Sequence, residues 1–149
     1  IEIKTFLPIM KGEVPKMGLK MITSNNYEDN VVLSVEPVVI NLWAKWSPLC
    51  DKVGEILNQI AEEYDGYVRV VQMNLEQQPE LTELFEVDKL PLVLMMTGGV
   101  ICKKIYGVPT KQEYIDELEL ETIKDFRDRG ITYHPKRNYI PGYIRNETW

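Results

Sequence analysis

The chain has 149 residues, of which 44% are apolar and 27% charged, and its formal net charge is -6. These values predict one soluble globular domain, large enough to fold without a disulfide framework or a structural metal. Two cysteines allow at most one bridge, which excludes a disulfide-rich secreted scaffold and favours an intracellular compartment, either the cytosol or an organelle interior. Because the first residue is Ile1 rather than methionine, we expect a processed or truncated chain.

The apolar runs of the sequence are all much shorter than the roughly 18 residues that a membrane-spanning helix requires, so we predict no membrane span. The acidic residues concentrate in the middle of the chain, whereas basic residues outnumber acidic ones toward both ends. An acidic body repels phosphate groups, so only the two ends are expected to meet a nucleic acid.

The first predicted elements are a short strand over residues 19–23 and a helix over about residues 24–34. The nearly continuous apolar run over residues 38–43 is typical of a strand that is buried on both faces of a sheet. Apolar residues then recur at helical spacing over residues 53–64. This spacing predicts a long helix with one buried face.

The second half of the pattern predicts a strand over residues 67–73 and a short helix over residues 79–85. A glycine-containing turn joins the apolar segments 92–96 and 100–106, as in an antiparallel hairpin. A last helix is predicted to begin near residue 110 and to run on toward residue 128. The order of strands and helices predicts an α/β fold, with a mixed sheet covered by helices on both faces.

Both ends of the chain are broken by proline and glycine and are too short for a core of their own. We therefore predict an N-terminal extension (1–18), a central domain (19–120) and a helix end followed by a C-terminal arm (121–149). We expect the arm to lie on a surface, either of its own domain or of a partner. Its candidate contact residues are basic or aromatic: Tyr133, Lys136, Arg137, Tyr139, Tyr143, Arg145 and Trp149.

A family resemblance rests on the segment that ends in Trp46-Ser47-Pro48-Leu49-Cys50. From Val38 onward, this segment resembles the strand of thioredoxins that leads into their Trp-Cys-Gly-Pro-Cys motif. Residues 56–64 resemble the second helix of that family, and Leu90-Pro91 falls where thioredoxins hold a cis-proline. The resemblance covers residues 19–120 and implies the thioredoxin fold, with irregular extensions at both ends.

The residues that match the thioredoxin chemistry are altered. Thiol–disulfide exchange uses an attacking thiolate and a resolving thiol, but the attacking position here is Ser47 and only Cys50 remains. The resemblance also matches Asn41 to the buried acid of thioredoxins, and Gln72 to the lysine near it. The motif is therefore interpreted as degenerate, and we expect no catalytic residue and no cofactor.

The spacing of Cys50, Cys102 and His134 does not correspond to a metal-ligand pattern, so no metal is expected either. The leading hypothesis is a redox-inactive structural or adaptor subunit of a larger assembly, which binds protein partners through its terminal arms. The resemblance assigns a peptide-binding groove to Trp46, Leu90 and Pro91, and such a groove needs no redox chemistry.

Two alternatives stay open. The first is a thiol–disulfide oxidoreductase, either with serine engineered in place of the attacking cysteine or with Cys50 acting as a single redox cysteine. The second is a component of a ribonucleoprotein, because Trp-x-Pro-x-Cys is similar to the motif in the thioredoxin-like protein of a spliceosomal small ribonucleoprotein. In that case the basic and aromatic C-terminal arm is expected to contact RNA.

Overall fold

The computed structural model describes residues 18–138 of the chain. Its sheet has five strands: β1 (Lys20–Met21), β2 (Val38–Trp43), β3 (Arg69–Asn74), β4 (Leu92–Thr97) and β5 (Val100–Tyr106). The spatial order of the strands is β1-β3-β2-β4-β5. Strand β3 pairs in parallel with β1 and β2, whereas β4 is antiparallel to both β2 and β5. The predicted α/β fold with a mixed, helix-flanked sheet is therefore confirmed.

The described residues form four α-helices: α1 (Leu49–Glu63), α2 (Pro79–Leu84), α3 (Lys111–Glu117) and α4 (Leu120–Asp128). A short 3₁₀ turn (Leu75–Gln77) precedes α2. The α-helix predicted over residues 24–34 is replaced by a single π-helical stretch, Glu28–Val32. It begins late because the Asn26 side chain accepts a hydrogen bond from the Thr23 N–H at 2.8 Å, which closes a separate turn first.

The predicted last helix is divided into α3 and α4. The break lies at Glu119, whose φ of 56° is left-handed and incompatible with a continuous helix. The Glu119 carboxylate accepts a hydrogen bond from Lys103 Nζ at 2.7 Å and another from the Tyr133 hydroxyl. At the break, Glu119 thus contacts β5 and the chain after α4. The apolar spacing of the sequence does not reveal these contacts.

Two apolar cores lie on opposite faces of the sheet, and β2 contributes to both. Val39 belongs to the core beneath α1, α3 and α4, whereas Val38 and Ile40 belong to the core on the α2 side. This alternation places Asn41 on the α1 side of the sheet. Helix α1 turns one buried face toward the sheet: Cys50, Val53, Leu57 and Ile60.

The chain after α4 returns to its own domain. The Asn138 N–H donates to the Cys102 carbonyl at 2.9 Å, and the Asn138 Oδ1 accepts from the Lys104 N–H at 3.0 Å. These bonds place Asn138 beside β5, one of the two edge strands of the sheet. The predicted arm residues Tyr139, Tyr143, Arg145 and Trp149 lie outside the described residues, as does most of the N-terminal extension.

Within residues 18–138, every helix is too short or too polar to cross a membrane.

Candidate functional site

The segment from Trp46 to Cys50 lies where the chain turns from β2 into α1. The Ser47 N–H donates to the Ala44 carbonyl, and the Cys50 N–H donates to the Ser47 carbonyl, each at 3.1 Å. Pro48 precedes the first helical residue and provides no side-chain cap. Cys50 is therefore the second residue of α1, on the first turn of the helix. The positive end of the helix dipole faces this turn and favours negative charge there.

The Cys50 side chain is 4% exposed, and its thiol donates a weak hydrogen bond to the Leu42 carbonyl at 3.9 Å. It also borders a cavity of about 270 Å³ between the first turns of α1 and the strands. The lining residues are Leu19, Asn41, Trp43, Cys50, Asp51, Gly54, Glu55, Asn58 and Gln72. Small molecules can therefore approach the Cys50 region from the sheet side of α1.

Asn41 and Gln72 are neighbours on the cavity wall, as paired residues of β2 and β3. Gln72 Nε2 donates to the Leu19 carbonyl at 2.8 Å. Asn41 is 4% exposed, and its Oδ1 has no hydrogen-bond partner among residues 18–138. A buried acceptor without a donor is uncommon in folded proteins, because the group has lost its hydration without compensation.

The remaining polar lining comes from one side of α1. Asp51, Glu55 and Asn58 follow each other at helical spacing, and the two acids are exposed at their surface. Gly54 faces the sheet: a Cβ at this position would lie 3.6 Å from Asn41 Nδ2. None of these four residues stood out in the sequence, because exposed acids and a helical glycine are common. The sequence signal that could have found them is their position within the first turns of the helix that begins beside Cys50.

The predicted groove residues lie apart from this cavity wall. Trp46 is 65% exposed, Leu90 is half-buried and Pro91 is buried. The Leu90–Pro91 peptide bond is cis, and the Pro91 carbonyl accepts from the Gly107 N–H at 3.1 Å. Trp46, Leu90 and Pro91 are not among the residues that line the cavity next to Cys50. Peptide binding by these three residues stays a prediction.

Tyr114 of α3 is fully buried, and its hydroxyl has no hydrogen-bond partner among the described residues. Burial, and secondarily the negative charge of a Cys50 thiolate, raise the pKa of Tyr114. The phenol therefore stays protonated at neutral pH, so that it carries no charge next to Cys50.

The second free thiol, Cys102, lies on β5 and is buried. Its sulfur contacts Thr97 Oγ1 at 3.1 Å, and it is not part of the cavity wall. His134 is exposed in the segment after α4. The described part of the chain contains no group of three or more His, Cys, Asp or Glu side chains that could hold a metal ion.

The sequence profile of the thioredoxin family matches residues 18–119. The chloroplastic thioredoxin M3 of Oryza sativa subsp. japonica is 29% identical over 102 residues, which are 68% of this chain and 58% of that protein. Thioredoxin from Staphylococcus saprophyticus is 24% identical over 103 residues, 69% of this chain and 97% of that protein. Thioredoxin 1 of a Nostoc species is 26% identical over 98 residues, which are 66% of this chain and 92% of that protein. The chain therefore belongs to the thioredoxin family.

These findings contradict the hypothesis of a redox-inactive structural or adaptor subunit. The relatives are named thioredoxins, and this chain keeps Cys50 beside the start of α1. Serine at position 47 removes one thiol, but a single thiolate is sufficient to open a disulfide. The comparisons support the alternative of an oxidoreductase better than the adaptor.

Proposed function

We propose that this chain is a thioredoxin-like thiol–disulfide oxidoreductase that works through one cysteine, Cys50. The observation that carries the proposal is the position of Cys50 on the first turn of α1, at the wall of a 270 Å³ cavity. The thioredoxin names of the relatives support the same reaction class. The interpretation of the site as degenerate is kept as part of this proposal, with serine at position 47 and the neutral residues Asn41 and Gln72 at the positions that the resemblance matches to a buried acid and a lysine.

The reaction is an exchange between a disulfide and an external low-molecular-weight thiol. The Cys50 thiol first loses its proton to solvent base, and the thiolate attacks one sulfur of a substrate disulfide. A bond forms between Cys50 Sγ and that sulfur, the substrate S–S bond breaks, and the second substrate sulfur leaves as a thiolate that takes up a proton. The external thiol, as its thiolate, then attacks the substrate sulfur of the mixed disulfide and releases Cys50. Each cycle thus releases one half of the substrate disulfide as a thiol and joins the external thiol to the other half. The number of disulfide bonds does not change, so the cycle needs no oxidant or reductant.

The neighbours of Cys50 have supporting roles in this scheme. Ser47 is too weakly acidic to act as a resolving or attacking group at neutral pH, so the resolving thiol comes from outside the chain. Asn41 and Gln72 supply polarity without charge, so they neither take up nor deliver a proton. The first turn of α1 presents the positive end of its helix dipole to this region.

Protein substrates are proposed to meet the chain at its exposed Trp46 and at Leu90-Pro91, where an extended peptide would pair with backbone groups. The division into residues 1–18, 19–120 and 121–149 is kept as a proposal. Contact of the basic arm with RNA also stays a prediction: Lys136 and Arg137 are exposed, while Tyr133 contacts Glu119 of its own domain.

A turnover assay tests the proposed function on the full chain. The Cys102→Ala variant, which keeps Cys50 alone, is expected to accelerate thiol exchange between hydroxyethyl disulfide and glutathione above the uncatalysed rate. The Cys50→Ser/Cys102→Ala variant provides the matched control and is expected to give the uncatalysed rate. Equal rates for the two variants, with both folded by circular dichroism, would contradict the proposal.

A further inference from the structure

The two edge strands of the described sheet differ in length. Strand β1 has two residues, whereas β5 has seven. An edge strand presents a row of backbone N–H and C=O groups with which another chain can pair, and a very short edge strand offers too few of them. Strand β5 is therefore the edge at which a further strand can add to this sheet.

Asn138 binds to β5 in the manner of a strand residue. Its N–H donates to the Cys102 carbonyl at 2.9 Å, and its Oδ1 accepts from the Lys104 N–H at 3.0 Å. These two backbone groups flank Lys103 on the outer side of β5. In a parallel pair of strands, one residue makes both of these bonds through its own backbone. Asn138 uses its side-chain carbonyl in place of the backbone carbonyl, so it takes two bonds that an added strand would need.

Residues 131–138, here called the strap, are also held to the domain before they reach Asn138. The Ile131 N–H donates to the Phe126 carbonyl at 2.8 Å. The Tyr133 ring packs edge-on against Phe126, with 4.9 Å between the ring centroids, and Pro135 is buried. The strap is therefore attached both at the end of α4 and at β5.

Glu119 joins the strap to β5. Its carboxylate accepts hydrogen bonds from the Tyr133 hydroxyl and, at 3.1 Å, from the Lys136 N–H. The same carboxylate pairs with Lys103 Nζ at 2.7 Å, and Lys103 is 6% exposed. An inward-pointing charge on an edge strand is itself a feature that opposes pairing with another chain. Glu119 thus stabilises the buried lysine of β5 and anchors the strap that lies beside it.

From these contacts we infer that the strap keeps the chain monomeric by occupying β5, and that its release lets β5 pair with β5 of a second copy. A second copy is the occupant because it presents an edge of the same seven residues, rich in the strand-forming residues Val100, Ile101, Ile105 and Tyr106. In a two-fold symmetric pair each strand supplies the same groups to the other, so the association closes as a dimer with antiparallel strands. This inference does not depend on the chemistry of Cys50.

A double substitution that removes only hydrogen bonds tests the inference on the full chain. Tyr133→Phe/Asn138→Ala, the release variant, removes the hydroxyl bonded to Glu119 and the acceptor bonded to Lys104, and it keeps the ring that packs on Phe126. Tyr67→Phe/Thr132→Ala is the matched control. It removes the bond from Tyr67 to Asp128 of the same helix α4, and an exposed side chain of the strap.

Trypsin reports whether the strap is attached. Lys136 and Arg137 are exposed, but the backbone on either side of them is bonded to Glu119 and to β5. We expect the release variant to be cut after these two residues about tenfold faster than the control, because cleavage follows the population of the detached segment. Equal cleavage rates in the two variants would overturn the inference.

Sedimentation velocity over a range of protein concentrations, with a reductant present, reports the association. The parent and the control should stay monomeric, and the release variant should form a dimer as its concentration rises. Faster cleavage of the release variant without any dimer would overturn the inference. Equal association of the control and the release variant would overturn it as well.

Lys104→Pro, added to the release variant, tests whether the dimer forms through β5. Proline removes the outward N–H that Lys104 presents, so the triple variant should be monomeric. A triple variant that is folded and still dimeric would contradict pairing through β5. If it does not fold, amide hydrogen exchange of the release variant decides: β5 should exchange more slowly where the dimer dominates, and an unchanged rate would contradict the inference.

Discussion

The Cys50 N–H donates to the Ser47 carbonyl at 3.1 Å, so these two residues are joined by the first turn of α1. A cysteine at position 47 would stand in the dithiol spacing of thioredoxins, with Cys50 as its partner. The turn from residue 47 to residue 50 thus contains one thiol, that of Cys50.

Replacing Ser47 with cysteine should convert the site to a dithiol. We expect Ser47→Cys to form an internal disulfide with Cys50 and to reduce insulin disulfides about tenfold faster or more, because a nearby thiol resolves the mixed disulfide at high effective concentration. Turbidity of precipitating insulin measures the rate, and intact mass measures the disulfide. Ser47→Ala is the control and should stay at the original rate; an equal rate for Ser47→Cys would contradict the prediction.

Gly54→Ala should make the protein more stable and at the same time make Cys50 harder for reagents to reach. The added Cβ would lie 3.6 Å from Asn41 Nδ2, an ordinary contact, and alanine favours a helix over glycine by about 1 kcal/mol. We therefore expect a higher midpoint of urea unfolding together with slower modification of Cys50 by hydroxyethyl disulfide, since the cavity is narrowed. If the variant is more stable but its rate of Cys50 modification is unchanged, then reagents do not reach Cys50 through this cavity.

Asn41→Asp should make the stability depend on pH. The buried carboxyl would have a raised pKa in the folded state, so the folded chain binds the proton more tightly than the unfolded chain. The variant should therefore approach the parent in stability near pH 4 and lose about 2 kcal/mol relative to it by pH 8. Urea unfolding at several pH values measures this difference. Asn58→Asp, at a half-buried position of the same cavity, should show a smaller dependence.

The stabilising contribution of Glu119 should be lost as the pH falls, whereas Asn41→Asp is expected to lose stability as the pH rises. Burial opposes its ionised form, but the hydrogen bonds from Lys103 and Tyr133 outweigh burial and hold the pKa of Glu119 below its usual value. Its contribution is therefore complete above about pH 4.5 and is lost as the pH falls through the lowered folded-state pKa.

The Glu119→Gln variant should be less stable than the parent by about 2 kcal/mol at pH 7, because Lys103 is 6% exposed and would lose its ion-pair partner. The difference should shrink at acid pH. Glu117→Gln, at an exposed position nearby, serves as the control and should change little. A constant difference between Glu119→Gln and the parent from pH 7 to pH 3 would contradict the account.

Helix α1 was predictable from the helical spacing of its apolar residues. Strands β2 to β5 were predictable as short apolar runs of strand length, and the run of β2 is nearly continuous. The break between α3 and α4 was not predictable in this way. The segment over residues 111–128 has apolar spacing compatible with one helix, and the contacts of Glu119 come from Lys103 and Tyr133, which are distant in the chain.

The candidate site was predictable only in part. Family resemblance drew attention to Asn41, Cys50 and Gln72, and the structure places all three on one cavity wall. The cavity itself depends on how Gly54 approaches Asn41, a packing relationship that no local pattern encodes. In the sequence, Asp51 and Glu55 cannot be distinguished from ordinary surface acids. Only the structure shows that they line the same cavity as Cys50.

Trapping the mixed disulfide tests the central claim most directly. The folded Cys102→Ala chain is mixed with hydroxyethyl disulfide, quenched by alkylation and mapped by mass spectrometry, then treated with glutathione. We predict one mercaptoethanol adduct on Cys50 that glutathione removes fast enough to account for turnover. A Cys50 that stays unmodified in the folded chain, or an adduct that glutathione does not release, would contradict a single-cysteine oxidoreductase.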